Sequence, residues 1–496
     1  MERIQIIWLT ICLYAVFIAI VGFAGSRKSK NMGDFTVGGR NAGAWMSAFS
    51  YGTAYFSAVM FIGYAGGTGW KYGIWGVLPG IGNAIIGSLF AWLVLAKRTR
   101  KVTRDNNIES MPQLFEHTYG SRAMRLFSAI VIFIFLLPYS ASVYKGLTSV
   151  CSVILHVDEM VCMLVIAAAS AIIVVAGGYI AALRADFVQG AVMLGGVIFL
   201  IIAVVRSEEV GGLSKGLSKI AEKTSDLGLG AYQMIGLWAT VLMTSFGTWG
   251  LPQMVHKYYG IRDDKEVSRG TIISTIFAFV VAGGGYFIGS LSRLYFDSLP
   301  EGGTDYLVPN MLNSEGIHSI LVAIILVLLI AASVSTLSSV TITASSTFAL
   351  DIVRDRFYKD KKKDVAGLTK AICLLFVILS FLIANFGEGT PILDMMSYSW
   401  GMISGAFLAP YAVSLYWKKT NKYGAWASML GGFFVALPPL VAKLADSDIT
   451  IGQFGKLCDL GPHFACLAMA ASLILIFAVS AIVNAFSKSK KVPQGA

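Results

Sequence analysis

The feature that most limits this chain is a succession of long apolar runs, near 4–25, 42–69, 72–97, 122–154, 158–183, 186–206, 231–251, 271–293, 318–350, 367–386, 391–417, 423–443 and 463–486. About 20 apolar residues in helical conformation cross a bilayer core of roughly 30 Å. Thirteen such runs predict thirteen transmembrane helices and an all-α polytopic membrane protein. Of 496 residues, 56% are hydrophobic and only 14% charged, against roughly 25% charged in soluble domains. A chain this apolar cannot turn all of it inward, which excludes an ordinary soluble enzyme.

Short basic clusters separate the runs, among them Lys97, Arg98, Arg100, Lys101 and Arg104, and Lys359 with Lys361, Lys362 and Lys363. Alternating sides from an outside amino end puts the segments around 26–40, 98–121, 252–270, 351–366 and 418–422, with the tail 487–496, on one face. Lys and Arg collect on the cytoplasmic side. The amino terminus is therefore expected outside and the carboxyl terminus in the cytoplasm, at the cell membrane. The first run is not a cleaved signal peptide: it is too long, its amino end lacks a basic stretch, and Arg27, Lys28 and Lys30 follow it directly. This bias accounts for the net charge of +11, and no nucleic-acid module accompanies it. The expected partners are the lipid bilayer, an ion and a small-molecule solute. The six cysteines are scattered, mostly in apolar runs where packing explains them. Cys458, His463 and Cys466 match no common zinc spacing.

Two runs do not read as uniform helices. The second contains Gly52-Thr53-Ala54-Tyr55-Phe56-Ser57, and the seventh contains Thr244-Ser245-Phe246-Gly247-Thr248-Trp249-Gly250. These segments fall at corresponding places if runs two to six and seven to eleven form two repeats of five helices. Interrupted helices at matched positions point to an inverted-repeat secondary transporter with its site at the midplane; small residues that let helices pack closely are the alternative. The division expected is 1–41 for the first helix and its cytoplasmic loop, 42–251 for core helices one to six, 252–417 for core helices seven to ten, and 418–496 for two final helices and the tail.

The ninth run holds a hydroxyl patch, Ser333, Ser335, Thr336, Ser338 and Ser339, in an otherwise aliphatic helix. Positions 332, 335 and 336 share a face. The carbonyl of Ala332, the hydroxyls of Ser335 and Thr336, and carbonyls at Thr53 and Phe56 from an unwound stretch would make five neutral oxygens around a small cavity. Such a shell suits a hard monovalent cation such as sodium; back-bonding to the helix's own carbonyls is the alternative. Ser335, Ser338 and Ser339 repeat the spacing on an adjoining face. Asp186, at the start of the sixth run, either reaches those serines to hold a second sodium or caps its helix at the interface and pairs with Arg184. Lys145 either snorkels to the outer headgroups or lines an outer vestibule and attracts a carboxylate. No phosphate-binding loop occurs, since Gly455-Lys456 is followed by Leu, and no HExxH, GxSxG or paired His/carboxylate set is present. The chain is expected to be no enzyme and to need no cofactor beyond sodium as coupling ion.

These residues carry a resemblance. Asp34-Phe35 with Gly38-Gly39-Arg40, Gly177-Gly178-Tyr179-Ile180-Ala181 before Asp186, the Ser335-Thr336-Leu337-Ser338 patch, Pro252, and Trp417-Lys418-Lys419 with Lys422, Gly424 and Ala425 resemble, in order and spacing, the sodium:solute symporter family, and within it the sodium/proline branch. The resemblance implies a thirteen-helix protein with a leucine-transporter-type inverted-repeat (5+5) core that imports a small solute with sodium by alternating access. It places the shared sodium at Thr53, Phe56, Ala332, Ser335 and Thr336, and a second sodium at Asp186, Ser335, Ser338 and Ser339. Tyr55 stands where the proline branch has an aspartate, with Ser57 retained. Thr244 and Thr248 stand where it has an aromatic pair, with Pro252 retained. A larger and more polar pocket than the proline branch's is therefore expected, taking a small carboxylate-bearing solute, an amino acid such as proline, a monocarboxylate or an acidic sugar. Arg40 matches a family arginine at the cytoplasmic end of the first core helix, where gating is the expected role. The reading from another class is a membrane sensor acting through a partner protein.

Overall fold

The computed structural model describes residues 3–26, 36–313, 319–358, 360, 364–387 and 390–489. Arg27, Lys28, Lys30, Asp34, Phe35, Lys359, Lys361 to Lys363 and the tail from 490 lie outside them. Helices supply the regular structure of the described residues, and β pairing is confined to two isolated bridges, Ala42 with Ile261 and Thr450 with Lys456.

The order is α1 (Arg3–Ser26), α2 (Ala44–Tyr55), α3 (Met60–Asp105), α4 (Met111–Tyr119), α5 (Arg122–Leu155) and α6 (Glu159–Arg206). There follow α7 (Leu213–Ser225), α8 (Ala231–Gly250), α9 (Pro252–Tyr258), α10 (Asp264–Leu294) and α11 (Leu307–Leu312). The chain ends with α12 (Ser319–Thr347), α13 (Ala366–Phe386), α14 (Ile392–Ser414), α15 (Lys422–Leu444) and α16 (Gly461–Ser489). Polar caps fix several starts. Ser110, Asp158, Asp263 and Asn421 each accept hydrogen bonds from the first turn of the helix they precede, satisfying donors that have no partner within the helix.

Among the described residues, eight helices are long and apolar enough to cross a bilayer, or nine if the bent pair α8 and α9 is one span. This differs from the thirteen expected, for identifiable reasons. The second half of the broken second run and the third run follow one another as helical segments from Met60 to Asp105, turning at Gly73, whose φ of +58° is open to glycine without strain. Of the fifth and sixth runs, Ala181–Arg206 counts as a span, while Glu159–Ile172, like Ile4–Ile18 in the first run, is a shorter apolar helix. α14 carries Asp394, Ser397, Ser399 and Ser404 buried within the protein, so its polarity is that of an enclosed helix.

α12 is the axis of the core. It packs on α5 and α6 and touches α2, α1 and α13, while α14 to α16 pack on one another beside α5 and α8. Close approach is built in where α3 meets α10. A Cβ at Gly289 would sit 2.1 Å from the Ala65 carbonyl oxygen, and one at Gly69 would sit 1.9 Å from the Gly289 oxygen. Leu13, Val165, Ile172, Ile272, Phe279 and Ile474 are exposed around the outside, the belt a helical bundle in hydrocarbon requires.

Candidate functional site

Both helices read as interrupted are interrupted. α2 ends at Tyr55, and Phe56 (φ −106°, ψ 107°) is extended before helix resumes. α8 ends at Gly250, Leu251 (φ −78°, ψ 122°) is extended, and α9 leaves at 57° with Pro252 in its first turn. A proline there supplies a helical φ and lacks an N–H that would have no partner anyway. Residues 252–258 therefore form the second arm of a broken span. This corrects their placement in a cytoplasmic loop: Pro252, His256 and Lys257 are all buried.

At the α2 break, the Thr336 hydroxyl on α12 lies 2.9 Å from the Thr53 carbonyl oxygen and 3.0 Å from that of Ala332. A single side chain thus links the end of α2 to the middle of α12. All three residues are wholly buried. Phe56 flanks the same break. Ser335, expected beside Thr336, instead donates to Asp186 Oδ1 at 2.5 Å.

Asp186 is fully buried inside α6, which corrects the alternative of an interfacial helix cap. Its Oδ2 accepts from Ser50 at 2.5 Å and from the Lys257 ammonium at 3.3 Å. Lys257 Nζ also donates to Ser50 Oγ and Ser339 Oγ, both at 2.8 Å. Ser338 is buried with its hydroxyl unpaired. The expected acidic and hydroxyl groups thus converge, but around a lysine that sequence reasoning had assigned to a basic cytoplasmic loop.

Of the residues expected to bind solute, Tyr55, Ser57 and Thr244 line a small space, whereas Thr248 and Pro252 do not border it. Tyr55 donates to the Thr244 carbonyl at 2.6 Å and stacks on Phe56, ring centroids 4.2 Å apart. Tyr55, Ser57, Thr244, Asn83, Tyr286 and Trp400 border a cavity of about 10 Å³, space for roughly one water. The Ser57 hydroxyl accepts from Val59 N at 3.2 Å, capping the resumed helix. The Thr244 and Thr248 hydroxyls bond back to Thr240 and Ser245 carbonyls, each at 2.8 Å. They therefore do not make the pocket polar, and Trp400 and Tyr286, from α14 and α10, supply aromatic walls that sequence reasoning missed. The enlarged, more polar pocket expected from the sequence is not what this conformation holds.

Lys145 does not reach toward lipid. It donates to the carbonyls of Gly387 and, at 3.4 Å, Thr390, and it borders a cavity of about 650 Å³ shared with Asp158, Glu159, Asp305 and Tyr306. That cavity lies at the Leu155 end of α5, away from the Arg122 end. At the opposite end Arg40, in the left-handed region with φ +55°, donates to the Ile108 carbonyl at 2.7 Å, joining the approach to α2 to the α3–α4 connection. Burial lowers the pKa of its guanidinium from the ordinary value, with the Glu109 carboxylate pulling the other way.

Two helices broken within the bundle, with carbonyl and hydroxyl oxygens brought together at one break and a small enclosed space beside it, fit the construction of a secondary transporter. The chain belongs to the sodium:solute symporter family, whose family model matches residues 35–432. It is 26% identical to the high-affinity proline transporter PutP of Bacillus subtilis over 482 residues, 95% of this chain and 97% of that protein. It is also 26% identical to the sodium/pantothenate symporter of Haemophilus influenzae over 455 residues, 88% and 91% of the two chains. Its fold matches that of a Na+-coupled sialic acid symporter in a substrate-bound outward-open state, with a TM-score of 0.77 at 18% identity over 96% of this chain and 97% of that one. It also matches the closed nucleobase-cation-symport-1 transporter Mhp1, with a TM-score of 0.55 at 12% identity over 92% and 96%. The protein is thus a multi-pass membrane protein of the all-helical leucine-transporter type. It is a sodium-coupled solute symporter, not an enzyme.

Proposed function

We propose that the chain imports a small carboxylate-bearing solute together with sodium by alternating access, with its amino terminus outside and its carboxyl terminus in the cytoplasm. The observation that carries the reading is the Thr336 hydroxyl between the Thr53 and Ala332 carbonyls. Sodium would take these three oxygens, with Phe56 and a Ser335 hydroxyl turned from Asp186 completing the set. Because those oxygens belong to α2 and α12, the ion binds best when the two elements are close, and its binding energy shifts the population toward that arrangement.

Solute would enter from the Lys145 cavity and bind between the two breaks, beside Tyr55, Ser57, Thr244, Thr248 and Pro252. The space there is too small for it now, so binding requires Trp400, Tyr286 and Tyr55 to part. Proline, pantothenate and sialic acid, named for the relatives and the structural neighbour, share a carboxylate, and the Lys145 ammonium faces the approach. In the proposal Arg40 and the Ile108 carbonyl hold the cytoplasmic exit shut. The five-plus-five repeat and the divisions at 41, 251 and 417 remain part of the same reading.

Uptake into proteoliposomes under an inward sodium gradient tests it, with amino acids, monocarboxylates and sugar acids as the panel. One carboxylate class should accumulate with sodium outside and not with potassium at equal ionic strength. Accumulation that is equal in the two salts, or confined to solutes without a carboxylate, would contradict the proposal.

A further inference from the structure

The buried cluster at Asp186 is complete in a way that bears on how many sodium ions the chain carries. Asp186 on α6, Ser50 on α2, Ser335 and Ser339 on α12 and Lys257 on α9 are each at most 4% exposed. A lysine ammonium is a compact cation with three donors and no acceptor. Here three oxygens receive it: Ser50 Oγ and Ser339 Oγ at 2.8 Å, and Asp186 Oδ2 at 3.3 Å. The carboxylate is answered in turn by the Ser50 and Ser335 hydroxyls and by that ammonium. One buried negative charge and one buried positive charge face each other, and their remaining hydrogen-bonding capacity is largely met, the condition under which buried charges are tolerated.

A sodium ion entering among these oxygens would meet the Lys257 ammonium where its own charge must sit. The cluster would then carry a net positive charge in a buried site, and the two cations would repel in a medium that screens them poorly. We propose that Lys257 is a tethered cation standing in the position of a second sodium, so that this symporter binds one sodium, at Thr336, and its Asp186 cluster binds none. The two-sodium set of Asp186, Ser335, Ser338 and Ser339 is thereby replaced by an internal ion pair. Lys257 rides on α9, the second arm of the broken span, so the tethered charge links that arm to α2, α6 and α12 throughout the cycle. Ser338, whose hydroxyl is buried and unpaired, is the further oxygen a sodium would recruit once the lysine is gone.

The inference rests on the reading of Thr336 as the sodium site, and the test separates the two. Equilibrium binding of ²²Na+ to the purified full chain, at a few times the wild-type dissociation constant, should give one ion for the wild type, well under one for Thr336→Ala, two for Lys257→Met and about one for Lys257→Met/Thr336→Ala. Two ions in the wild type, or no gain in Lys257→Met, would overturn the tethered cation. A wild type that binds none would contradict the Thr336 site instead, and the lysine inference then stands only if Lys257→Met gains one ion. If Lys257→Met does not fold, the charge-neutral pair Asp186→Asn/Lys257→Met serves in its place. It keeps one sodium if the wild-type ion sits at Thr336; loss of that ion would place it at Asp186 and overturn the proposal.

Discussion

Thr336→Ala should raise the sodium concentration needed for half-maximal transport by at least about tenfold, while solute affinity at saturating sodium changes little. The hydroxyl bridges the Thr53 and Ala332 carbonyls at 2.9 and 3.0 Å, and without an ion its single hydrogen is shared between them. In the proposed sodium-bound form the hydrogen turns away and the oxygen joins both carbonyls as a ligand. A polar contact to a charged group is worth about 1.5–3 kcal/mol, which converts to roughly tenfold to more than a hundredfold in affinity. Thr336→Ser keeps the oxygen and should stay close to wild type. Sodium-titrated uptake for the three proteins checks this, and an unaltered sodium dependence in Thr336→Ala would remove the residue from the site.

Arg125→Ala should cost about 3–5 kcal/mol of stability, the usual penalty for leaving a buried charge without its partner. Arg125 on α5 pairs at 2.8 Å with Asp351, whose side chain is 0% exposed, and with Glu116 on α4, also at 2.8 Å. It reaches Asp355 at 3.4 Å, and Gln113 donates to Asp351 at 3.1 Å. The network ties α4 and α5 to the segment that follows α12, on the face of the basic clusters. Removing both charges in Arg125→Met/Asp351→Leu should recover most of the loss, because the orphaned carboxylate carries the penalty. Thermal unfolding of the purified variants measures both effects; a single variant within about 0.5 kcal/mol of wild type, the range of ordinary surface changes, would mean the pair is solvated.

Much of the fold was legible because hydrocarbon imposes a simple rule on the sequence: long apolar runs become helices, and small or hydroxyl residues in their midst mark where a helix is broken. The break at Phe56 and the bridge from Thr336 were accessible to that reading. Lys257 was not, because a lysine beyond an apolar run resembles a loop residue obeying the positive-inside bias. The signal that could have found it was Pro252 followed by Met254 and Val255, a helix start and an apolar continuation pointing back into the protein. The aromatic walls were hidden for another reason. Trp400 and Tyr286 come from helices far apart in the chain, and their meeting with Tyr55 depends on how α10 and α14 pack. Thr244 and Thr248 misled because a hydroxyl in a membrane helix has its own backbone as a ready partner.

Thermal stability of the purified protein in sodium against potassium, at equal ionic strength and without solute, reaches the central claim most directly. Sodium that binds the folded state raises its stability by mass action, by about 2.7 kcal/mol at a hundred times the dissociation constant. A midpoint that climbs with sodium and not with potassium, and in Thr336→Ala climbs only at about tenfold or more higher sodium, is the expected result. Superimposable curves in the two salts would mean that the oxygens between α2 and α12 are packing and hold no ion.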